Sequence, residues 1–232
     1  MTKIYFGCDE IPRHWQQYFE LCNAIELNLQ RFDNPPNIET LNGWRVDSPR
    51  GFAFVLHADP EVTEGIQQAA RDGADQLPEK LQEGWARTME HAHALAARAI
   101  LFRTPVSLAP ADTSRAALEM FATECADEFS YPVIWEAAGT WDTASTREWA
   151  AERGLTYAYD PFLAFRDEIG LTHGDGAFIL SERAGLRREF DHYDIRQLVD
   201  ALGSYNRAYF LLRGRFQWKY AEHFAELLDY EP

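Results

Sequence analysis

The sequence predicts a single-domain (β/α)8 barrel of the TIM type. Eight short apolar runs alternate with longer amphipathic ones along the 232 residues. Such alternation implies parallel strands joined by right-handed helical crossovers. Eight units in a chain of this length fit one closed barrel. The runner-up is an open doubly wound sheet, but no glycine-rich phosphate loop follows any of the strand-like runs.

The elements follow in order. Ile4–Cys8 reads as the first strand. Pro12 opens a helix carrying Trp15, Tyr18, Phe19 and Cys22 at helical spacing. Ala24–Leu29 is the second strand, and Asn37 caps a short helix after the loop Asn34-Pro35-Pro36. Gly51 introduces the third strand, Phe52–His57. Asp59-Pro60 then caps and opens a helix that Gly73 stops, and a longer helix spans Glu79–Ala97. Ala99–Thr104 is the fourth strand, and Asp112 or Thr113 caps a helix running to about Phe129. Val133–Glu136 is the fifth strand. Asp142 or Thr143 caps the next helix, and Gly154 ends it. Leu155–Tyr159 is the sixth strand, and Tyr159-Asp160-Pro161 leads toward a helix around Leu163–Ile169. The seventh strand is Ala177–Ser181, after the turn His173-Gly174-Asp175-Gly176. Asp191 begins a helix stopping near Gly203, Arg207–Leu212 is the eighth strand, and Phe216–Leu228 is the last helix.

Composition narrows the partners. A net charge of −15 repels polyanions, and only short basic pairs such as Arg187–Arg188 and Arg213/Arg215 interrupt it, so nucleic acid is an unfavoured partner. Three cysteines (Cys8, Cys22, Cys125) form no CxxC and leave an odd thiol, which suits a reducing compartment. No signal-peptide core and no long apolar run is seen, so a cytoplasmic protein without membrane contact is expected. The sequence identifies neither a cofactor nor an oligomeric state.

Strand parity locates the candidate site. In a barrel, alternate strand residues face the interior or the surrounding helices. If the uniformly apolar set faces the helices, Glu26 and Asn28 point inward from strand two and His57 from strand three. Arg103 then points inward from strand four, Glu136 from strand five and Arg213 from strand eight. Strand six ends in Asp160 and strand seven in Glu182 and Arg183, whose parity the pattern leaves open. The C-terminal mouth, where barrel enzymes assemble their sites, is thus lined with charge. The same charges also read as a structural ion network in which Arg103 pairs with Glu26 or Glu136. A carboxylate inside a strand must be paired, so Glu26 is expected within hydrogen-bonding reach of an arginine, or of Asn28 plus water. Cys8 lies beside Asp9 and Glu10, which would raise its pKa; it reads as a packing residue. His91 and His93 read as helix surface or packing residues. No HExxH and no Cys/His set at zinc spacing occurs, so no structural zinc is expected. A weakly held magnesium or manganese ion at Glu26 or Glu136 stays open.

Several motifs, in order, resemble the YecE-like family, also called domain of unknown function 72. They are Gly7 ending strand one, Glu26-Leu27-Asn28 in strand two, and the Pro49 to Phe54 entry to strand three. Leu101-Phe102-Arg103-Thr104-Pro105 and Glu136 followed by Trp141 complete them. The resemblance covers most of the chain and implies a TIM-type barrel. The departures concern the polar mouth. The family's Gly-Thr-Ser-Gly-Trp opening is Gly7-Cys8-Asp9-Glu10 here. Its strand-three lysine falls on His57 and its strand-four glutamine on Arg103. Its Arg-His after strand five becomes Ala138-Gly139, its Arg-Leu-His-Gly becomes Leu180-Ser181-Glu182-Arg183, and its Phe-Asn-Asn becomes Leu212-Arg213-Gly214. Glu26, Asn28 and Glu136 carry over.

Two function classes follow. One is an enzyme acting on a small polar or anionic molecule. Arg103, Arg183 and Arg213 would hold a phosphate or carboxylate, with Asn28 and Asp160 as further ligand contacts, and Glu26, His57 or Glu136 would serve as acid or base. The other is a non-catalytic binding or regulatory protein with a reworked pocket. A barrel nuclease or DNA-repair protein is an analogy from fold alone.

Overall fold

The computed structural model describes residues 2–10, 12–162, 174–181, 190–203 and 205–230. Among these residues lie eight strands: β1 (Lys3–Cys8), β2 (Ala24–Leu27), β3 (Ala53–His57), β4 (Ala99–Thr104), β5 (Val133–Ala137), β6 (Leu155–Tyr159), β7 (Gly174–Leu180) and β8 (Tyr205–Leu212). The α-helices are α1 (Trp15–Leu21), α2 (Ile38–Asp47), α3 (Pro60–Asp72), α4 (Glu79–Leu95), α5 (Asp112–Glu124), α6 (Thr143–Ala151), α7 (His192–Asp200) and α8 (Gln217–Leu227). The strands form one sheet in the order β1-β8-β7-β6-β5-β4-β3-β2, and β1/β8, β3/β4, β4/β5, β6/β7 and β7/β8 pair in parallel. β2 to β8 thus lie in chain order with β1 beside β8, which is the (β/α)8 barrel arrangement.

Several boundaries differ from expectation, each for a local reason. The first helix begins at Trp15, not Pro12, because the first helical turn closes when Tyr18 N–H donates to His14 O. The second strand stops at Leu27; Leu29–Arg31 coils into a 3-10 turn instead of continuing the alternation. Neither Asp112 nor Thr113 caps α5. Ala111 holds that position, and the Asp112 carboxylate sits in the first turn, where the positive end of the helix favours it. The same helix ends at Glu124, and Ala126–Glu128 forms a separate 3-10 turn. Gly174–Gly176 is strand, not turn: it extends β7 along β8. A register shift at Gly174/Asp175 faces Gly174 with Tyr205 but Asp175 with Arg207. By contrast Asn37, Asp59, Asp142 and Asp191 all cap as their side-chain chemistry requires. The helix expected around Leu163–Ile169 and the residue His173 lie outside the described residues.

Two compact units divide the chain: Met1–Leu27 with Asp47–Phe54 and Ala158–Pro232, and Asn28–Val46 with Val55–Tyr157. In the first unit, alternation sorts β8 as parity demands. Phe210 packs on Phe224 of α8, while Tyr209 stacks on Tyr5 with ring centroids 4.9 Å apart. Below that stack Arg207 grips Asp175 with two bonds of 2.8 and 2.7 Å. The junction of β1 and β2 is bridged by side chains. Tyr18 Oη accepts from Cys8 N (2.9 Å) and donates to Ala24 O (2.7 Å). Asn23 accepts from Phe6 N (2.7 Å) and donates to Ile4 O (2.9 Å). Gly7 permits this approach, because a Cβ there would lie 1.9 Å from Ala24 O.

Cys8 and Cys22 are fully buried beside Tyr18 in this unit. The Cys22 side chain, hydrogen-bonded to Cys8, and then burial push the Cys8 thiol far above its ordinary range. Burial, with Glu128 and Glu124 nearby, pushes Cys125 up to about 11. Since the thiolate is the reactive form, native protein should be silent to a thiol reagent such as DTNB at pH 8. All three thiols should react once the chain is denatured. Rapid labelling of the native protein would contradict this burial.

In the second unit the helix-facing rows of β4 and β5 are aromatic. Phe102 meets Phe121 of α5, and Trp135 meets Trp141 and Trp149. Trp135 Nε1 donates to Thr104 Oγ1 at 2.9 Å, which fixes both residues on the outer face. Arg103 and Glu136, one position away on each strand, therefore take the opposite face.

Candidate functional site

In the first unit, Glu26 lies in a strand whose four residues are all buried. Arg213 follows β8, its N–H donating to Leu180 O (2.9 Å), which prolongs the β7/β8 ladder by one residue. Its guanidinium meets the Glu26 carboxylate as a two-pronged fork, Nε to Oε2 and Nη2 to Oε1, both 2.8 Å. The side chains are 15% and 1% exposed, so this is a buried pair. The expectation of an arginine partner for Glu26 is met by Arg213. Asp160 follows β6, and its Oδ1 accepts from Phe162 N (2.8 Å), fixing the turn through Pro161.

In the second unit, three expected site residues stand at the ends of adjacent strands. His57 ends β3, Arg103 is the penultimate residue of β4, and Glu136 is the penultimate residue of β5. The register pairs Arg103 directly with Glu136, and Arg103 Nε lies 3.2 Å from Glu136 Oε1. The Arg103 side chain is 61% exposed while Glu136 is 10% exposed, so the guanidinium reaches solvent over a sheltered carboxylate. Two contacts from α3 hold the strand end and the loop after it. Thr63 Oγ1 donates to Arg103 O (3.1 Å), and Gln67 Nε2 donates to Ser107 Oγ (2.9 Å). Both partners lie 40 residues away, so no local pattern points to them. Asn28 caps the 3-10 turn, its Oδ1 accepting from Gln30 N (3.0 Å). Arg183 lies outside the described residues.

Tyr157 on β6 titrates abnormally. Burial, then the negative charges of Glu136 and Asp142, push it up to about 12 from the usual 10.0. The unfolded chain releases this proton first, so stability is lost as pH rises from about 10 toward about 12. Urea midpoints measured across that range should fall, and fall less steeply in Tyr157→Phe; equal slopes would remove this contribution.

Among the described residues no three His, Cys, Asp or Glu side chains are grouped as metal ligands, and no helix is long and apolar enough to cross a membrane.

Comparison with known proteins places the fold and the family. No curated protein matches the chain. Among solved structures it is similar over its whole length to a DUF72 family protein from Enterococcus faecalis (TM-score 0.71, 12% identity, 99% of that chain). A DUF72 family protein from Thermotoga maritima is also similar (TM-score 0.68, 15% identity, 98% of this chain and all of that one). A family 2 AP endonuclease from Brucella melitensis shares the fold over the full length of both chains (TM-score 0.57, 12% identity). The model of the protein family of unknown function DUF72 matches residues 7–157, which include Gly7, Glu26, Asn28 and Glu136, and the chain belongs to that family.

Proposed function

We propose that this barrel binds a small anionic molecule at the C-terminal ends of β3, β4 and β5 and acts on it by acid–base chemistry. The observation that carries the reading is Arg103. Its side chain is 61% exposed and its terminal nitrogens make no hydrogen bond among the described residues, while its ion pair there is with Glu136, 3.2 Å from Nε. A guanidinium offers planar paired donors suited to carboxylate or phosphate oxygens. Glu136 beside it is the candidate base, and His57 on the neighbouring strand a candidate proton carrier. Glu26 and Arg213 satisfy one another and support the strand ends rather than the reaction. A polyanionic nucleic acid is disfavoured by the net charge of −15.

Isothermal titration with small carboxylates and inorganic phosphate tests the reading. Arg103→Ala should weaken binding by about tenfold or more, the scale of one lost charge-assisted hydrogen bond. Unchanged affinity would end it.

A second reading is a non-catalytic binding or regulatory protein. It is favoured by the engagement of both Glu26 oxygens by Arg213, which leaves that carboxylate fewer acceptor positions for a substrate. Under it, Glu136→Gln leaves the effect of ligand on the protein unaltered; under the first reading, turnover is lost while binding survives.

A further inference from the structure

We propose that a groove in the second unit, between α4 and the end of α5, binds an organic ammonium ion. The groove has a volume of about 370 Å³, enough for a small molecule. It lies within Val55–Tyr157 and shares no residue with the Arg103 site, so the two are independent. Trp85, Met89 and His93 line one side, and their four-residue spacing puts them on one stripe of α4. Glu124, Cys125 and Glu128 line the other, where α5 gives way to the 3-10 turn. The Trp85 ring packs at 89° to Phe121 of α5 with centroids 5.2 Å apart, which ties the two helices together. Trp85 is 3% exposed, and its Nε1 is buried with no hydrogen-bond partner among the described residues. Buried donors are nearly always paired, so one left over calls for an acceptor from outside the chain. Glu124 and Glu128 are exposed, and neither carboxylate makes a hydrogen bond or an ion pair among the described residues. Burial, then Glu128 and Glu124, push the Cys125 thiol up, so both negative charges are felt by a residue that lines the groove. Two uncompensated carboxylates beside an indole and a thioether suit a ligand that is positive and apolar at once. Indole is the best aromatic partner for a cation, and the flexible thioether of Met89 adapts to an apolar body. The net charge of −15 draws cations toward the surface. A bare divalent ion fits less well, because no three His, Cys, Asp or Glu side chains among the described residues are grouped as ligands.

Titrations with choline and with 3,3-dimethylbutan-1-ol, its uncharged isostere, at constant ionic strength test this. Choline should bind about tenfold more tightly than the alcohol, the combined scale of a cation–π contact and an exposed charge pair. Binding should shift the Trp85 indole N–H resonance, which is identified by its absence from the spectrum of Trp85→Phe. Glu124→Gln together with Glu128→Gln should erase the preference for choline; both side chains are exposed, so the fold survives the change. Glu222→Gln together with Glu226→Gln makes the same change of charge on exposed positions of α8 in the first unit and should leave the preference intact. Arg103→Ala should leave it intact as well. Choline binding no tighter than the alcohol, an unmoved Trp85 signal, or a preference that survives in Glu124→Gln/Glu128→Gln would each overturn the site. An equal loss in the α8 pair would also overturn it, by showing that choline responds only to the overall charge.

Discussion

Glu26→Ala is expected to destabilise the protein by about 3–5 kcal/mol, because it leaves the Arg213 guanidinium buried without its counter-charge. Both oxygens of Glu26 are held at 2.8 Å by that fork, and the two side chains are 1% and 15% exposed. Desolvation has already been suffered by both ions, and removing one partner leaves the other's cost uncompensated. The double substitution Glu26→Leu with Arg213→Met should therefore be less harmful than Glu26→Ala alone, since apolar replacements remove both charges. Urea unfolding of the three proteins measures this. A loss below about 1 kcal/mol in Glu26→Ala would mean that the pair behaves as an exposed one. The corresponding pair Arg207–Asp175 is 30% and 15% exposed, so Asp175→Ala should cost less.

Gly7→Ala should be comparably damaging, by about 3 kcal/mol or more, since overpacking and lost hydrogen bonds add. Its Cβ would fall 1.9 Å from Ala24 O and 2.9 Å from Tyr18 Oη. The nearest obstacle is backbone, which cannot turn aside as a flexible side chain does. β1 and β2 must separate, and the Tyr18 and Asn23 bridges between them stretch or break. Gly73→Ala is the control. Gly73 has φ +59 with nothing within 4 Å of its Cβ position, so it carries only the left-handed backbone penalty of about 1–2 kcal/mol. Chemical denaturation of both variants compares crowding with backbone strain. If Gly7→Ala proves no worse than Gly73→Ala, the close approach of β1 to β2 is not what this glycine serves.

The sequence by itself determined the eight alternating units, the barrel class, and the face that Arg103 and Glu136 take. These follow from local physics. Period-2 alternation sorts side chains such as Phe102 and Trp135 from Arg103 and Glu136, and side-chain caps such as Asp59 and Asp191 stop or start helices wherever they fall. Charge and burial also dictated that Glu26 must have a partner. The choice of Arg213 was decided only by tertiary structure, because Arg103 had the same parity and the same charge. The β8 end carries Arg213 to within 2.8 Å of Glu26, whereas the β4/β5 register sets Arg103 against Glu136. Asn28 and Asp160 read as ligand contacts by position, yet each commits a side-chain oxygen to a backbone N–H two residues on, a preference that Asn and Asp carry at any strand end. The Tyr18 and Asn23 bridges, the need for glycine at position 7, and the Thr63 hold on Arg103 depend on contacts between segments brought together by folding. No periodicity records such contacts, because they are set by how closely the elements approach and not by the pattern within any one of them.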